Sequence, residues 1–327
     1  MSQANKAGIR IYAAGGGGLG ICKYFEGDRK KEIPGFANLH TVYLDTSPAS
    51  KSGVPEEYLY QLPEANGSGG VRSTHGAEIM RHTGEILQRF PAMQHNIFVH
   101  STGGGSGAVL CASIASQLLA EGKTVIWFCV ASDDSLQYIN NSIAAMSTFD
   151  NIARLREEGA VVRYLQNGVD GTIEQVDAEV RNMIASLALL YSGENKNLDD
   201  RDLHNWTHFT KVTSFDPQVG ALSIHKGDIE LPEGSNIISV VTLNKDLNNT
   251  RINHPVEYQR VGIPSDYEDM AQTDKPVHFV ISDGYLDTVM KRLRKQKQDY
   301  DTKANARVVR NKLSDGTAPM EANGIVF

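Results

Sequence analysis

The stretch NIFVHSTGGGSGAVLCASIASQLL, Asn96–Leu119, passes from an apolar strand-like run through a glycine-rich turn into a helical pattern. Val109, Leu110, Ser113, Ile114, Gln117 and Leu118 keep helical spacing until Gly122 stops it. An earlier stretch, IRIYAAGGGGLGICKYF, Ile9–Phe25, is built the same way. A strand, a turn of small residues and a helix N-terminus together form an anion site, because unpaired N–H groups and the helix dipole converge there. Two such turns on one sheet would face a single crevice above the strand ends. Gly16, Gly17 and Gly18 stand in the first, and Gly103, Gly104, Gly105, Ser106 and Gly107 in the second. Two cradles suit a di- or triphosphate better than a single pyrophosphate.

Outward from these turns, GIRIYAA, HTVYLDT, NIFVHST, TVIWFCVAS and AVVRYLQ read as strands alternating with helical stretches. That rhythm predicts an α/β fold with a parallel sheet covered on both faces. TIEQVDAEVRNMIASLALLYS, Thr172–Ser192, predicts a central helix whose second half is apolar on nearly every side, with Gly193 as its C-cap. Beyond it the pattern changes to helices with runs such as SNIISVVTLN and KPVHFVISDG. The expected division is a nucleotide-binding domain over 1–171, the central helix over 172–192, a smaller α+β domain over 193–283, and a long C-terminal helix with a tail over 284–327.

Composition narrows the class. The 327 residues are 40% apolar and 22% charged, without an apolar run near the ~20 residues a bilayer requires. MSQANKAG lacks a basic flank followed by an apolar core, so a cytoplasmic protein is expected. Cys22, Cys111 and Cys129 are scattered within apolar patterns and read as small buried hydrophobes. Net charge is −7, yet Lys291 to Lys312 carries nine basic residues against Asp299 and Asp301. An acidic body with one basic helix could dock onto another copy of itself, although a solvated helix face is the simpler reading.

The first turn also satisfies a dinucleotide pattern: Gly15, Gly17 and Gly20 give G-x-G-x-x-G, and Asp45 ends the next strand where a ribose-binding acid would sit. A nicotinamide-dependent oxidoreductase is therefore a competing reading. A third small-residue cluster, Gly67, Ser68, Gly69 and Gly70 followed by Arg72, lies between the two turns and could sense a terminal phosphate. There is no G-x-x-x-x-G-K-[ST], which excludes a Walker-type NTPase.

About ninety residues beyond the second turn comes Asn197, Leu198, Asp199, Asp200, Arg201, Asp202, an N-x-D-x-x-D element flanked by LHNWTHFTK. The pair of motifs resembles the tubulin/FtsZ superfamily, and its order and spacing are most similar to bacteriophage tubulins of the PhuZ type, from about Ile9 to the basic helix. The resemblance implies a GTPase that polymerises head to tail, with GTP/GDP on the glycine loops and Mg2+ bridging the phosphates. It implies that Asp199 and Asp202 reach the GTP of the next subunit and complete its hydrolytic site, the second domain being GTPase-activating. From the residues alone, a D-x-x-D is also an N-cap with a capping box, and both roles are compatible.

Two positions depart from the family pattern. Where the superfamily places a guanine-reading asparagine in the central helix stands Asp177, whose carboxylate can accept from guanine N1–H and the exocyclic amine. Gly20 replaces the asparagine usual in the first turn. Asp133 and Asn141 fall where relatives contact ribose. The terminal helix and tail are implied to grip the neighbouring subunit, with Ile325, Val326 and Phe327 beside Asp315 and Glu321, so deleting 314–327 is expected to raise the critical concentration for assembly. The implied role is a filament that positions phage DNA or its replication compartment in the host bacterial cytoplasm, with DNA-associated or capsid cargo as a further partner. A DNA-segregation filament that binds DNA through its basic helix is the remaining alternative.

Overall fold

The computed structural model describes residues 7–25, 35–51, 53–247, 250, 252–264 and 275–306. The five apolar runs form β1 (Gly8–Ala14), β2 (Asn38–Asp45), β4 (His95–Ser101), β5 (Thr124–Ala131) and β6 (Ala160–Gln166), with a short β3 (Leu59–Gln61) beside β2. All eight residues of β5 are buried, which explains why TVIWFCVA shows no polar alternation: a parallel strand covered on both faces has no solvent side.

The helices that cover the sheet are α1 (Gly15–Cys22), α2 (Gly76–Arg89), α3 (Gly107–Ala120), α4 (Leu136–Arg156), α5 (Ile173–Leu190), α6 (Asp200–Thr207) and α7 (Tyr285–Asn305). Strand periodicity separates two cores. Ile9, Ile11 and Ala13 point into a layer shared with Leu19 of α1 and Val180 and Ile184 of α5. Tyr12 and Ala14 point the other way, toward Ile79 of α2, Leu110 of α3, Phe149 of α4 and Leu293 of α7.

After α6 the chain adds β7 (Val219–Lys226), β8 (Ile237–Leu243), β9 (Tyr258–Gly262) and β10 (Val277–Ser282). They extend the same sheet, whose order is β3-β2-β1-β4-β5-β6-β7-β10-β8-β9. β7 joins through Ala160↔Val219, Val161↔Gly220 and Val162↔Ala221, and β10 alone runs antiparallel to its neighbours. The change of rhythm after Gly193 thus marks the reversed strand rather than a separate sheet. One core also runs beneath both halves, from Leu189 and Tyr191 to Trp206, Ile238 and Phe279.

The central helix is held at both ends. Thr172 and Gln175 form a capping box at its start. At its end the Asn195 amide donates to the Leu189 and Leu190 carbonyls at 3.1 and 2.8 Å, satisfying groups a helix terminus leaves open. Gly193, expected as the cap, lies two residues past the Tyr191 cap with φ 73°. The expected C-terminal helix is present as α7; its continuation from residue 307 and the tail 314–327 lie outside the described residues. All three cysteines are buried and free, and among the described residues no helix is long and apolar enough to cross a membrane.

Candidate functional site

The strand order reverses between β1 and β4: the chain moves from β1 to β2 and β3 on one side, then to β4, β5 and β6 on the other. A crevice opens at such a switch point, outside the strand C-termini. Both glycine turns border it, which is why one sheet carries two.

Glycine is required there because backbones touch. Gly15 has φ 67°, and a Cβ on Gly107 would lie 2.6 Å from the Ala14 carbonyl oxygen. A Cβ on Gly18 would lie 2.2 Å from the Val99 carbonyl oxygen, so α1 can rest on β4 only with glycine at that position. The third loop closes on the second: a Cβ on Gly105 would lie 2.8 Å from both the Gly70 carbonyl carbon and the Val71 nitrogen. Gly16 is different: among the described residues nothing lies within 4 Å of its Cβ position. It faces open space.

That space is a cavity of about 420 Å³ walled by the first turn, the loops at Asp45–Ser47, Asn66–Gly70 and Gly104–Gly107, and Tyr138. Among the described residues the wall contains no lysine or arginine, and Asp45 is the one charged residue on it. Positive potential therefore comes from the N-termini of α1 and α3 and from loop N–H groups, an arrangement that suits phosphates. Asp45 is 4% exposed; its Oδ1 accepts from Thr46 N at 2.7 Å and Ser47 N at 3.1 Å, while Oδ2 is buried without a partner among the described residues. A buried carboxylate oxygen without a partner is costly unless a ligand takes it. One carboxylate beside bound phosphates is the donor set Mg2+ prefers. A larger cleft of about 560 Å³ lies between α4 and α7, walled by helix side chains such as Asp150, Arg154, Met290 and Arg294, away from both turns.

The loops are bound to one another. Thr46 Oγ1 donates to Ser106 Oγ at 3.0 Å, and Gly67 N donates to Thr46 O at 2.8 Å. Asn141, on α4, donates through Nδ2 to the carbonyls of Gly70 and Gly103, both at 2.8 Å. Its amide clasps two loops from beneath and is not on the cavity wall. Asp133 is also off the wall: its carboxylate accepts from Gln296 Nε2 and its carbonyl from the Tyr300 hydroxyl, both at 2.9 Å, so it meets α7. Asp177 stands on α5 near Arg181, its pKa raised chiefly by desolvation. Gly20 is exposed, and among the described residues nothing lies within 4 Å of its Cβ position, so none of them covers this face of α1. Arg72 has one guanidinium nitrogen buried without a partner among the described residues, and desolvation lowers its pKa.

Asp199 and Asp202 are at the opposite end of the molecule. They form a reciprocal capping box: Asp202 N donates to Asp199 Oδ1 at 2.9 Å and Asp199 N to Asp202 Oδ2 at 3.4 Å. Asn197 has φ 61°, a left-handed conformation that asparagine tolerates well, and this turns the chain into α6. Asp200 and Arg201 border a cleft with Gln94, His95, Lys123 and Thr124, the residues at the starts of β4 and β5. The glycine turns stand at the ends of the strands, the acids at their beginnings. The eighteen residues of α5 run between the two levels, a rise of about 27 Å.

Residues 198–283 match the family model for the C-terminal domain of phage tubulin-like proteins. The chain is 26% identical to a phage tubulin-like protein of Pseudomonas phage phiKZ, over 99% of both chains. It superimposes on a protofilament of TubZ from bacteriophage PhiKZ with a TM-score of 0.85, 24% identity and coverage of 98% and 99%. It matches a GDP complex of the phage tubulin PhuZ with a TM-score of 0.84, 25% identity and the same coverage. Together with the paired glycine loops and the remote acidic element, these similarities mark the chain as tubulin-like and similar over nearly its whole length to the phage tubulin-like proteins of the PhuZ type.

Proposed function

We propose that the protein is a GTPase that assembles head to tail into filaments and hydrolyses GTP at the contact between subunits. One observation carries this reading: the phosphate cradle and the acidic loop lie at opposite ends of the same sheet, separated by the length of α5. Within one molecule the carboxylates cannot reach the cradle; stacked copies bring the acids of one onto the cradle of the next. The PhiKZ relative solved as a protofilament and the PhuZ relative solved with GDP agree with both halves of the reading.

In this mechanism, N–H groups of the turns at Gly15–Gly17 and Gly104–Gly107 hold the phosphates. Asp45 Oδ2 would hold Mg2+, which supplies charge neutralisation to the phosphates when bound. The nucleoside lies along the open face of α1 past Gly20, with Asp177 accepting from the guanine edge. The Asp199–Asp202 pair of the adjoining subunit orients the attacking water. The filaments position phage DNA or its replication compartment in the host cytoplasm, a role carried over from the family resemblance.

Light scattering and sedimentation on adding GTP, GDP, ATP or NAD test the assignment. GTP alone should drive polymer formation with release of phosphate. Equal assembly with ATP, or NAD recovered from the purified protein, would overturn it.

A further inference from the structure

The acidic loop is strapped to the edge of the sheet. Lys196 and Ile263 exchange two backbone hydrogen bonds, each 2.8 Å, and a Cβ on Gly262 would lie 3.0 Å from Leu198 Cβ. This contact places β9 alongside the start of α6. Tyr258 and Arg260, two apart on β9, lie on the same side of the strand and converge on one residue. The Tyr258 hydroxyl donates to the Asp202 carbonyl oxygen at 3.1 Å. Arg260 Nε donates to Asp202 Oδ1 at 2.6 Å, its guanidinium lies 4.6 Å from the Tyr258 ring centroid, and its Nη1 donates to Gln259 O at 2.9 Å. Asp202 Oδ2 is meanwhile turned toward Asp199 N.

The geometry points to Arg260 as a positioning residue: it fixes the Asp202 carboxylate in the orientation that completes the neighbouring subunit's hydrolytic site. This rests on the reading that Asp202 acts in trans. Each Asp202 oxygen has a directional partner, so the carboxylate is held in one rotamer, and Tyr258 in turn holds the guanidinium. A planar guanidinium bound through Nε and stacked on an aromatic ring sets direction as well as charge; an ammonium supplies only charge. An exposed ion pair of this kind contributes little to stability, so its loss should appear in turnover rather than in folding.

The test is a double-mutant cycle on the full chain with Asp202→Asn and Arg260→Met, with Arg260→Lys as the conservative variant. GTP affinity of the unassembled subunit, the polymerisation threshold and turnover in polymer are measured for each. Arg260→Met is expected to lower polymer-state kcat at least tenfold, leave affinity and threshold within twofold, and cause no further loss in the Asp202→Asn background. Arg260→Lys should recover only part of the rate. Wild-type turnover in Arg260→Met beside an inactive Asp202→Asn sinks this proposal alone, as does an equal further loss in the double variant. Loss of polymer in Arg260→Met while Asp202→Asn still assembles would make Arg260 an interface contact and overturn the positioning role. Wild-type turnover in Asp202→Asn sinks the parent reading, and this proposal with it.

Discussion

Asn141 Nδ2 lies 2.8 Å from the Gly70 carbonyl oxygen and 2.8 Å from that of Gly103, so a single amide on α4 ties the loop before α2 to the loop before α3. Asn141→Ala leaves both carbonyls without this donor in a largely buried place and should cost about 1–3 kcal/mol. Asn141→Asp sets a carboxylate against two carbonyl oxygens and should cost more. Because the clasped loops border the cavity, GTP affinity should fall along with stability. Isothermal titration and urea unfolding of both variants check this; unchanged affinity would mean the clasp does not shape the cradle.

Gly18 and Gly20 share one helix and differ in surroundings. Gly18→Ala puts a methyl 2.2 Å from a backbone carbonyl that cannot move without distorting β4, and should destabilise by about 1–3 kcal/mol. Gly20→Ala meets nothing within 4 Å among the described residues and should be neutral, or stabilising by about 0.5–1 kcal/mol. Thermal melts of the two variants, run side by side without nucleotide, should therefore move in different directions. Equal losses would show that α1 does not rest on β4 as described.

Acid should weaken the fold through two histidines. His95 is 2% exposed, stacks on Tyr191 with ring centroids 3.6 Å apart, and has neither ring nitrogen hydrogen-bonded among the described residues. His100 is fully buried. Burial lowers their pKa values from 6.5 to about 3 and about 4, assisted by the charges of His204 and Arg72 respectively. The folded chain keeps both neutral while the unfolded chain protonates near pH 6.5. Stability present above pH 6.5 is therefore lost as the pH falls toward 4, on the order of 2 kcal/mol per histidine by pH 5. Urea midpoints at pH 7 and pH 5 measure the loss, and His100→Gln should flatten part of it. A midpoint that does not change between these values would contradict the assignment.

Much of this architecture was legible because it is local. The strand at TVIWFCVA, the helix begun by Thr172, and the turns at Gly15 and Gly103 each follow from a period or a backbone constraint within a dozen residues. The capping box of Asp199 and Asp202 was readable from a spacing of three. The rest depends on partners distant in sequence. Asp133 meets Gln296 and Tyr300, more than 160 residues away, and is thereby drawn toward α7. Arg260, 58 residues beyond Asp202, has no local signature, and it is the Lys196–Ile263 bridge and the contacts beside it that bring its strand to the loop. The single sheet was equally hidden, since the β6–β7 junction is a register of three pairs between small and branched residues that also suit separate sheets.

If a cradle is completed by another copy's carboxylates, GTP turnover per subunit must depend on assembly, and measuring it across the polymerisation threshold reveals that dependence. Specific activity should be near zero in dilute monomer, rise steeply as polymer forms and level once every cradle is covered. Turnover per subunit that is constant from dilute monomer to full polymer would contradict it.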